Sequence, residues 1–192
     1  MKKRGFAIDM NAPVILWLTI VALGVLIVDL VTPMNMTLLL GARRTSLIDP
    51  LQYVRLFTHV TVHANIGHFV SNFMMILAIG PMVEEKYGSD RLILITVLTA
   101  LITGLVNVIF FPLTVVVGAS GIVFMLILMA SFTNIRQGKL PVTVLLVAVL
   151  YIGNEIMLGL FTASNISRIS HIVGGICGAV FGVIFHAKKL KG

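Results

Sequence analysis

Six segments of this chain are each apolar over nearly the length that a helix needs to cross a lipid bilayer. A spanning helix takes about 20 apolar residues, because the hydrocarbon core is about 30 Å thick and each helical residue rises about 1.5 Å. No internal repeat or low-complexity linker separates the segments, so we predict an all-α membrane protein with one domain over residues 1–192. The predicted spans are residues 12–31, 66–84, 91–111, 119–133, 141–161 and 167–187.

The composition agrees with a chain whose solvent is the bilayer. Hydrophobic residues make up 58% of the sequence and charged residues only 11%, whereas roughly a quarter of a soluble domain is charged. The net charge of +7 does not indicate a nucleic-acid partner, because Lys and Arg lie at the ends of apolar segments and do not form a patch. The single cysteine, Cys177, excludes an intramolecular disulfide.

The start of the chain resembles a signal peptide, because basic residues precede an apolar segment. Residues 12–31 are nevertheless as long as a full span, and no clear small-residue cleavage site follows them. We therefore predict a first helix that is retained.

Basic residues predict the orientation of the six spans, since short cytoplasmic loops carry an excess of Lys and Arg. With six spans both termini lie on one side, and that side holds ten of the fourteen basic residues. We therefore predict that both termini are cytoplasmic. The ten are Lys2, Lys3, Arg4, Lys86, Arg91, Arg136, Lys139, Lys188, Lys189 and Lys191, and the other four are Arg43, Arg44, Arg55 and Arg168.

The connection between the first and second spans, residues 32–65, is much longer than the other connections. Long connections without a function are uncommon. This one mixes leucines and Phe57 with a few charged residues, so we predict an element that lies partly embedded at the membrane surface.

Polar side chains begin three of the predicted spans. His68 and Asn72 lie near the start of the second span, Ser120 at the start of the fourth and His171 near the start of the sixth. These three spans run inward from the outer side, so their polar residues lie at similar depth. Ionisable groups inside a membrane are costly and usually functional.

These residue types suit hydrolysis by a nucleophilic serine. A serine hydroxyl needs a neighbouring base to take its proton, and the imidazole of His171 can act as that base for Ser120. The oxyanion that forms needs fixed donors, and His68 and Asn72, four residues apart, share one helical face. Backbone N–H groups at the start of a helix are further donors.

Glycines accompany both predicted catalytic residues. Gly118 and Gly121 flank Ser120 and allow a sharp turn. Gly174 and Gly178, four positions apart on the sixth span, allow close packing against another helix. Close packing of this span on the fourth would bring the histidine to the serine.

Taken together, these motifs resemble the rhomboid family of intramembrane serine proteases, in the family's order and over about residues 52–182. The matching motifs are R-L-F-T-H at 55–59 with His63, H-F-V-S-N at 68–72, V-E-E-K-Y-G-S at 83–89, G-A-S-G at 118–121, and H-I-V-G at 171–174 with Gly178.

The resemblance implies a six-helix bundle of the minimal bacterial form, multi-pass in the plasma membrane. It implies that Ser120 is the nucleophile and His171 the base, without an acid, and that His68, Asn72 and the Ser120 backbone N–H form the oxyanion hole. No metal or organic cofactor is expected. Substrates would be single-span transmembrane proteins in the lipid bilayer, and no particular oligomeric state is implied.

Two residues depart from the family pattern. Val54 stands where many bacterial members have an aromatic residue, and Phe124 stands where a tyrosine often packs on the catalytic histidine. The ring of Phe124 can still stack on His171, but it has no hydroxyl.

Other interpretations of the polar residues are weaker. His59, His63 and His68 could suggest a metal site, but no acidic or cysteine ligand lies near them in the sequence, and hydrogen bonding in the loop is favoured. A non-proteolytic protein that binds client helices or transports a solute is the alternative function, although inverted repeats typical of transporters are not visible. Asn154 and Glu155 in the fifth span have no assigned role.

Overall fold

The computed structural model describes residues 10–132, positions 142, 146, 149 and 150, and residues 165–189. Its regular structure in these ranges is helical. The helices are α1 (Pro13–Val31), α2 (Met36–Leu40), α3 (Pro50–Thr58) with a 3₁₀ turn at His59–Thr61, α4 (Ile66–Tyr87), α5 (Ser89–Phe110), α6 (Ser120–Phe132) and α7 (Asn165–Lys189).

The predicted all-α class is confirmed, and helices α1, α4, α5, α6 and α7 occur at five of the predicted spans. Most ends agree within two residues, but α4 continues three residues beyond position 84, to Tyr87. Helices α1, α4 and α5 are long and apolar enough to cross a membrane, while α6 and the apolar part of α7 are shorter. The predicted span at 141–161, with Asn154 and Glu155, lies outside the described residues.

Helix α6 lies at the centre of the packing and makes its most extensive contact with α7. Its side chains Ile122, Met125, Leu126 and Met129 are almost completely buried. Helices α4 and α5 also pack against α6. The residue that begins α6 is therefore held among three neighbouring helices.

The start of α1 is capped by a side chain from another helix. The two carboxylate oxygens of Glu84 accept hydrogen bonds from the backbone N–H groups of Val14 (3.0 Å) and Ile15 (3.2 Å). The hydroxyl of Ser89 donates to the same carboxylate at 2.7 Å. Since the first N–H groups of a helix have no partner inside it, Glu84, which is only 3% exposed, joins α1 and the start of α5 to α4.

The connection between α1 and α4 is structured by short helices with capped starts. Asn35 caps α2 and Asp49 caps α3. The buried Arg55 forms an ion pair with Asp49 at 3.1 Å and donates through Nε to the carbonyl of Leu39 at 2.9 Å. An antiparallel backbone bridge between Ala42 and Val116 ties this connection to the loop that precedes α6. Its embedding at the membrane surface stays a prediction.

Replacing Glu84 with Gln is expected to lower the free energy of unfolding by about 2 kcal/mol, because an amide can offer an oxygen to only one of the two N–H groups of α1. The midpoint of thermal unfolding in detergent should fall by several degrees. It can be followed with a thiol-reactive dye, since Cys177 is the only cysteine and is buried.

Glu85→Gln is the matched control for this prediction, because Glu85 is the next residue and is exposed. An equal decrease in both variants would show that the carboxylate of Glu84 is not a specific cap.

Candidate active site

Ser120 is the first residue of α6, as the sequence predicted. The preceding loop is fixed by two hydrogen bonds from the connection between α1 and α4. The N–H of Gly118 donates to the carbonyl of His59 at 3.0 Å, and the N–H of Ala119 donates to Nε2 of His63 at 3.3 Å. Gly118 has a φ of +113°, a conformation that favours glycine. Hydrogen bonds thus hold both residues that directly precede Ser120.

His68 and Asn72 of α4 lie against the backbone beside this serine. A Cβ added to Gly118 would fall 2.8 Å from Nε2 of His68 and 3.7 Å from Nδ2 of Asn72. The side chain of Asn72 is buried, and its Nδ2 has no hydrogen-bond partner among the described residues. A buried donor without a partner is costly. The structure therefore brings two polar groups of α4, one of them an unsatisfied donor, to the loop that ends in Ser120.

His171 lies on α7, with its ring against Phe124 of α6 at 4.6 Å between centroids and a tilt of 41°. The two rings are therefore in contact, but they are tilted and not stacked. His171 is also close enough to influence His68 electrostatically. These contacts bring side chains of α4, α6 and α7 to one end of the bundle.

The register of α6 and α7 explains the level at which His171 lies. A Cβ added at Gly174 would overlap the carbonyl of Gly121, and one added at Gly178 would overlap the carbonyl of Met125. The two helices thus run parallel with their backbones in contact. His171 lies about one turn before Gly174 on α7, and Gly118 lies three residues before Gly121. Because Gly174 faces Gly121, His171 lies at the level of the loop that leads into Ser120.

A cavity of about 200 Å³ lies against the serine. Its wall combines the backbone of the loop before α6 with polar side chains from the neighbouring elements. The lining residues that carry polar side chains are His59, Thr103, Ser120 and Ser170. Space for water is therefore present beside Ser120, while His68, Asn72 and His171 are not among the lining residues of this cavity.

The sequence assigned His59 and His63 to hydrogen bonding in the loop. In the structure His59 accepts from the N–H of Gly118 through its carbonyl, and His63 accepts from the N–H of Ala119 through its ring. Nε2 of His59 lies 3.2 Å from the hydroxyl of Thr103. Burial lowers the pKa of both histidines from an ordinary value near 6.5 to about 4, so both are neutral at pH 7. Among the described residues, no group of three or more His, Cys, Asp or Glu side chains is placed to hold a metal ion.

The sequence alone did not identify the three contacts that fix the loop before α6. They are the His59 carbonyl bond, the His63 ring bond and the Ala42–Val116 bridge. Two of these use backbone groups, which carry no residue-specific signal. The only visible sequence indication was the position of His59 and His63 just before α4.

Comparison with known proteins matches the chain to one family. The family model described as Rhomboid domain matches residues 50–188, which is well over half of the chain. The chain is 29% identical over 146 residues to the rhomboid protease GluP of Bacillus subtilis, covering 73% of this chain and 27% of that protein.

Two further relatives come from a bacterium and an animal. The chain is 32% identical over 136 residues to the putative rhomboid protease YdcA of Bacillus subtilis, covering 66% of this chain and 64% of that protein. It is 30% identical over 141 residues to rhomboid-related protein 2 of Mus musculus, covering 67% and 46%. The chain therefore spans less than two thirds of the length of each of these three relatives.

Acidification is expected to destabilise the protein through His59. Its pKa of about 4 lies below the value near 6.5 in an unfolded chain, so the unfolded state binds more protons between these values. Neutral His59 therefore contributes on the order of 3 kcal/mol to the free energy of unfolding. This contribution is complete above pH 6.5 and is lost as the pH falls through 4. The unfolding midpoint measured by circular dichroism should fall between pH 7 and pH 4.5, and His59→Gln should reduce that dependence. An unchanged dependence in the variant would contradict this assignment.

Replacing Gly174 with Ala is expected to destabilise the protein by about 1–3 kcal/mol, because the new methyl group would overlap the carbonyl of Gly121. Gly24→Ala on α1 is the control, since a Cβ there meets nothing within 4 Å, and it should be neutral or slightly stabilising. Thermal unfolding followed by circular dichroism measures both. Equal midpoints for the two variants would mean that α6 and α7 do not require this close approach.

Proposed function

This chain belongs to the rhomboid family, and from that membership we propose that it is an intramembrane serine endopeptidase. In this proposal it hydrolyses peptide bonds in or near the transmembrane helix of single-span membrane proteins. Ser120 is the nucleophile and His171 is the base. The relatives named as rhomboid proteases support the reaction class, and the residues gathered at the start of α6 support these roles.

The proposed reaction begins when the hydroxyl of Ser120 attacks the scissile carbonyl and His171 takes its proton. His171 then returns the proton to the leaving amine, and an acyl-enzyme remains. A water molecule then attacks the ester and gives a proton to His171, and His171 passes this proton to the oxygen of Ser120 as the acid product leaves. The cavity of about 200 Å³ beside Ser120 offers room for this water.

The single observation that best supports the chemistry is the unpartnered amide of Asn72. Its Nδ2 is buried without an acceptor among the described residues, and it lies with His68 against Gly118, two residues before the nucleophile. Donors that are fixed before the reaction stabilise the developing oxyanion more than the neutral carbonyl. We assign the oxyanion hole to His68, Asn72 and the backbone N–H of Ser120.

The proposed topology has six spans in one domain, with both termini in the cytoplasm of a bacterial cell and the site near the outer face. The three long apolar helices support a membrane location. The distribution of basic residues supports the orientation. Helices α4, α6 and α7 would then run inward from the outer side, each beginning near the site.

Ser120→Ala and His171→Ala are each expected to lower the rate of cleavage of a single-span substrate in liposomes by at least about 10³-fold, because each removes a reacting group. Ser131→Ala is the control, since Ser131 lies on the same helix and its hydroxyl donates to the carbonyl of Ile127. A fluorophosphonate probe should label the wild type and Ser131→Ala but not Ser120→Ala. Cleavage by the Ser120 variant would reject the nucleophile. A folded wild type that is never labelled would favour the non-proteolytic alternative.

Asn72→Ala and His68→Ala are expected to lower kcat by about 10²–10³-fold with smaller changes in KM, because the lost donors act mainly in the transition state. The measurement is steady-state cleavage in detergent, with Ser71→Ala as the control on the same helix, where the hydroxyl donates to the carbonyl of His68. A rise in KM at constant kcat would assign both residues to substrate binding.

A further inference from the structure

A second polar pocket lies on the connection between α1 and α4, separate from the cavity beside Ser120. It has a volume of about 360 Å³ and shares no lining residue with that cavity. Helix α2 and the residues around it form most of its wall. The lining residues are Met34, Asn35, Leu38, Leu39, Arg43 and Arg55.

Both charged side chains that line the pocket are positive. It is lined by two guanidinium groups, those of Arg43 and Arg55, while the nearest paired carboxylate, Asp49, binds Arg55 from outside the lining. A hydrogen bond from the hydroxyl of Thr45 lowers the pKa of Asp49, so this carboxylate is ionised at neutral pH. Asp29 is a second acidic neighbour outside the lining, since its carboxylate accepts a hydrogen bond from the N–H of Met36 at the start of α2 at 2.7 Å. The positive charge is therefore that of the lining itself.

The unpaired hydrogen-bond donor at this pocket belongs to Arg43. Its Nε is buried and has no hydrogen-bond partner in the described part of the chain, whereas Arg55 is engaged through Nε and Nη1. A buried cationic donor without an acceptor is costly. The planar guanidinium group matches the oxygens of a phosphate through paired N–H bonds. An anion with several oxygen atoms would supply an acceptor for this N–H.

The rim of the pocket is apolar and exposed. Met34 is 50% exposed and Leu38 is 48% exposed. The rim also follows directly after α1, an apolar helix that ends at Val31, so the pocket lies at the level where a spanning helix leaves the hydrocarbon. Free phosphate would gain nothing from these side chains, whereas a lipid would place its acyl chains on them.

We propose that this pocket binds the phosphate of an anionic phospholipid, with Arg43 as the main ligand. The phosphodiester carries one negative charge, which the two guanidinium groups of the lining attract. A choline group would add a positive charge near the guanidinium groups, so an anionic lipid is preferred over phosphatidylcholine. The site is independent of the proposed protease activity.

The test is a titration of the full chain in neutral detergent with phosphatidylglycerol or phosphatidylcholine, with bound lipid counted by native mass spectrometry. The wild type should bind phosphatidylglycerol at least about fivefold more tightly than phosphatidylcholine. Arg43→Gln should weaken phosphatidylglycerol binding by about fivefold to tenfold. Arg44→Gln is the matched control, because it removes the same charge from an exposed neighbour that does not line the pocket, and its affinity should be unchanged.

Three results would overturn the proposal. They are equal binding of the two lipids by the wild type, equal losses in Arg43→Gln and Arg44→Gln, and displacement of bound phosphatidylglycerol by millimolar inorganic phosphate. The last result would assign the site to free phosphate. Thermal unfolding without lipid verifies that Arg43→Gln is folded. If it is not, Arg43→Lys decides, because it keeps the charge but loses the paired donors. A severalfold loss of affinity in that variant supports the site, and an unchanged affinity rejects it.

Discussion

The close approach of α6 and α7 is the constraint on which the geometry of the site depends. At Gly174 and Gly178 the backbone of α7 lies against the carbonyls of Gly121 and Met125, with no room for a side chain. Lipid provides little hydrophobic drive for helices to associate, so small residues and close van der Waals contact become important. This contact sets the register that carries His171 to the level of Ser120.

Much of the fold could be predicted, because hydropathy marks helices, and Ser120 begins α6 as its position suggested. The roles of the candidate residues stay predictions. The structure added interactions between distant segments, which no local pattern contains. Glu84 reaches Val14 and Ile15, about 70 residues away, and no local pattern around Glu84 indicates that pairing. The position of the Ser120 loop likewise depends on the carbonyl of His59, and a carbonyl is present in every residue.

The connection between α1 and α4 supports the site more directly than its position between two spans suggested. It supplies acceptors for the N–H groups of Gly118 and Ala119, and it pairs with Val116 through Ala42. Asn107 of α5 strengthens the same junction by donating to the carbonyl of Ala42 at 2.9 Å. The loop before Ser120 is therefore fixed from the α1–α4 side and from α5. Such support fixes the backbone that leads into Ser120, as preorganised catalysis would require.

The polar groups of this membrane protein differ in how completely they are satisfied, and Glu84 and Asn72 lie at opposite ends of that range. Both carboxylate oxygens of Glu84 have donors in the folded chain, so this side chain stabilises the fold without a ligand. Asn72 is buried without an acceptor for its Nδ2 among the described residues. The fold bears the cost of desolvating that donor before any substrate arrives. A negative charge that forms beside Ser120 would then meet a donor that has already lost its water, so the energy spent in folding lowers the barrier to reaction.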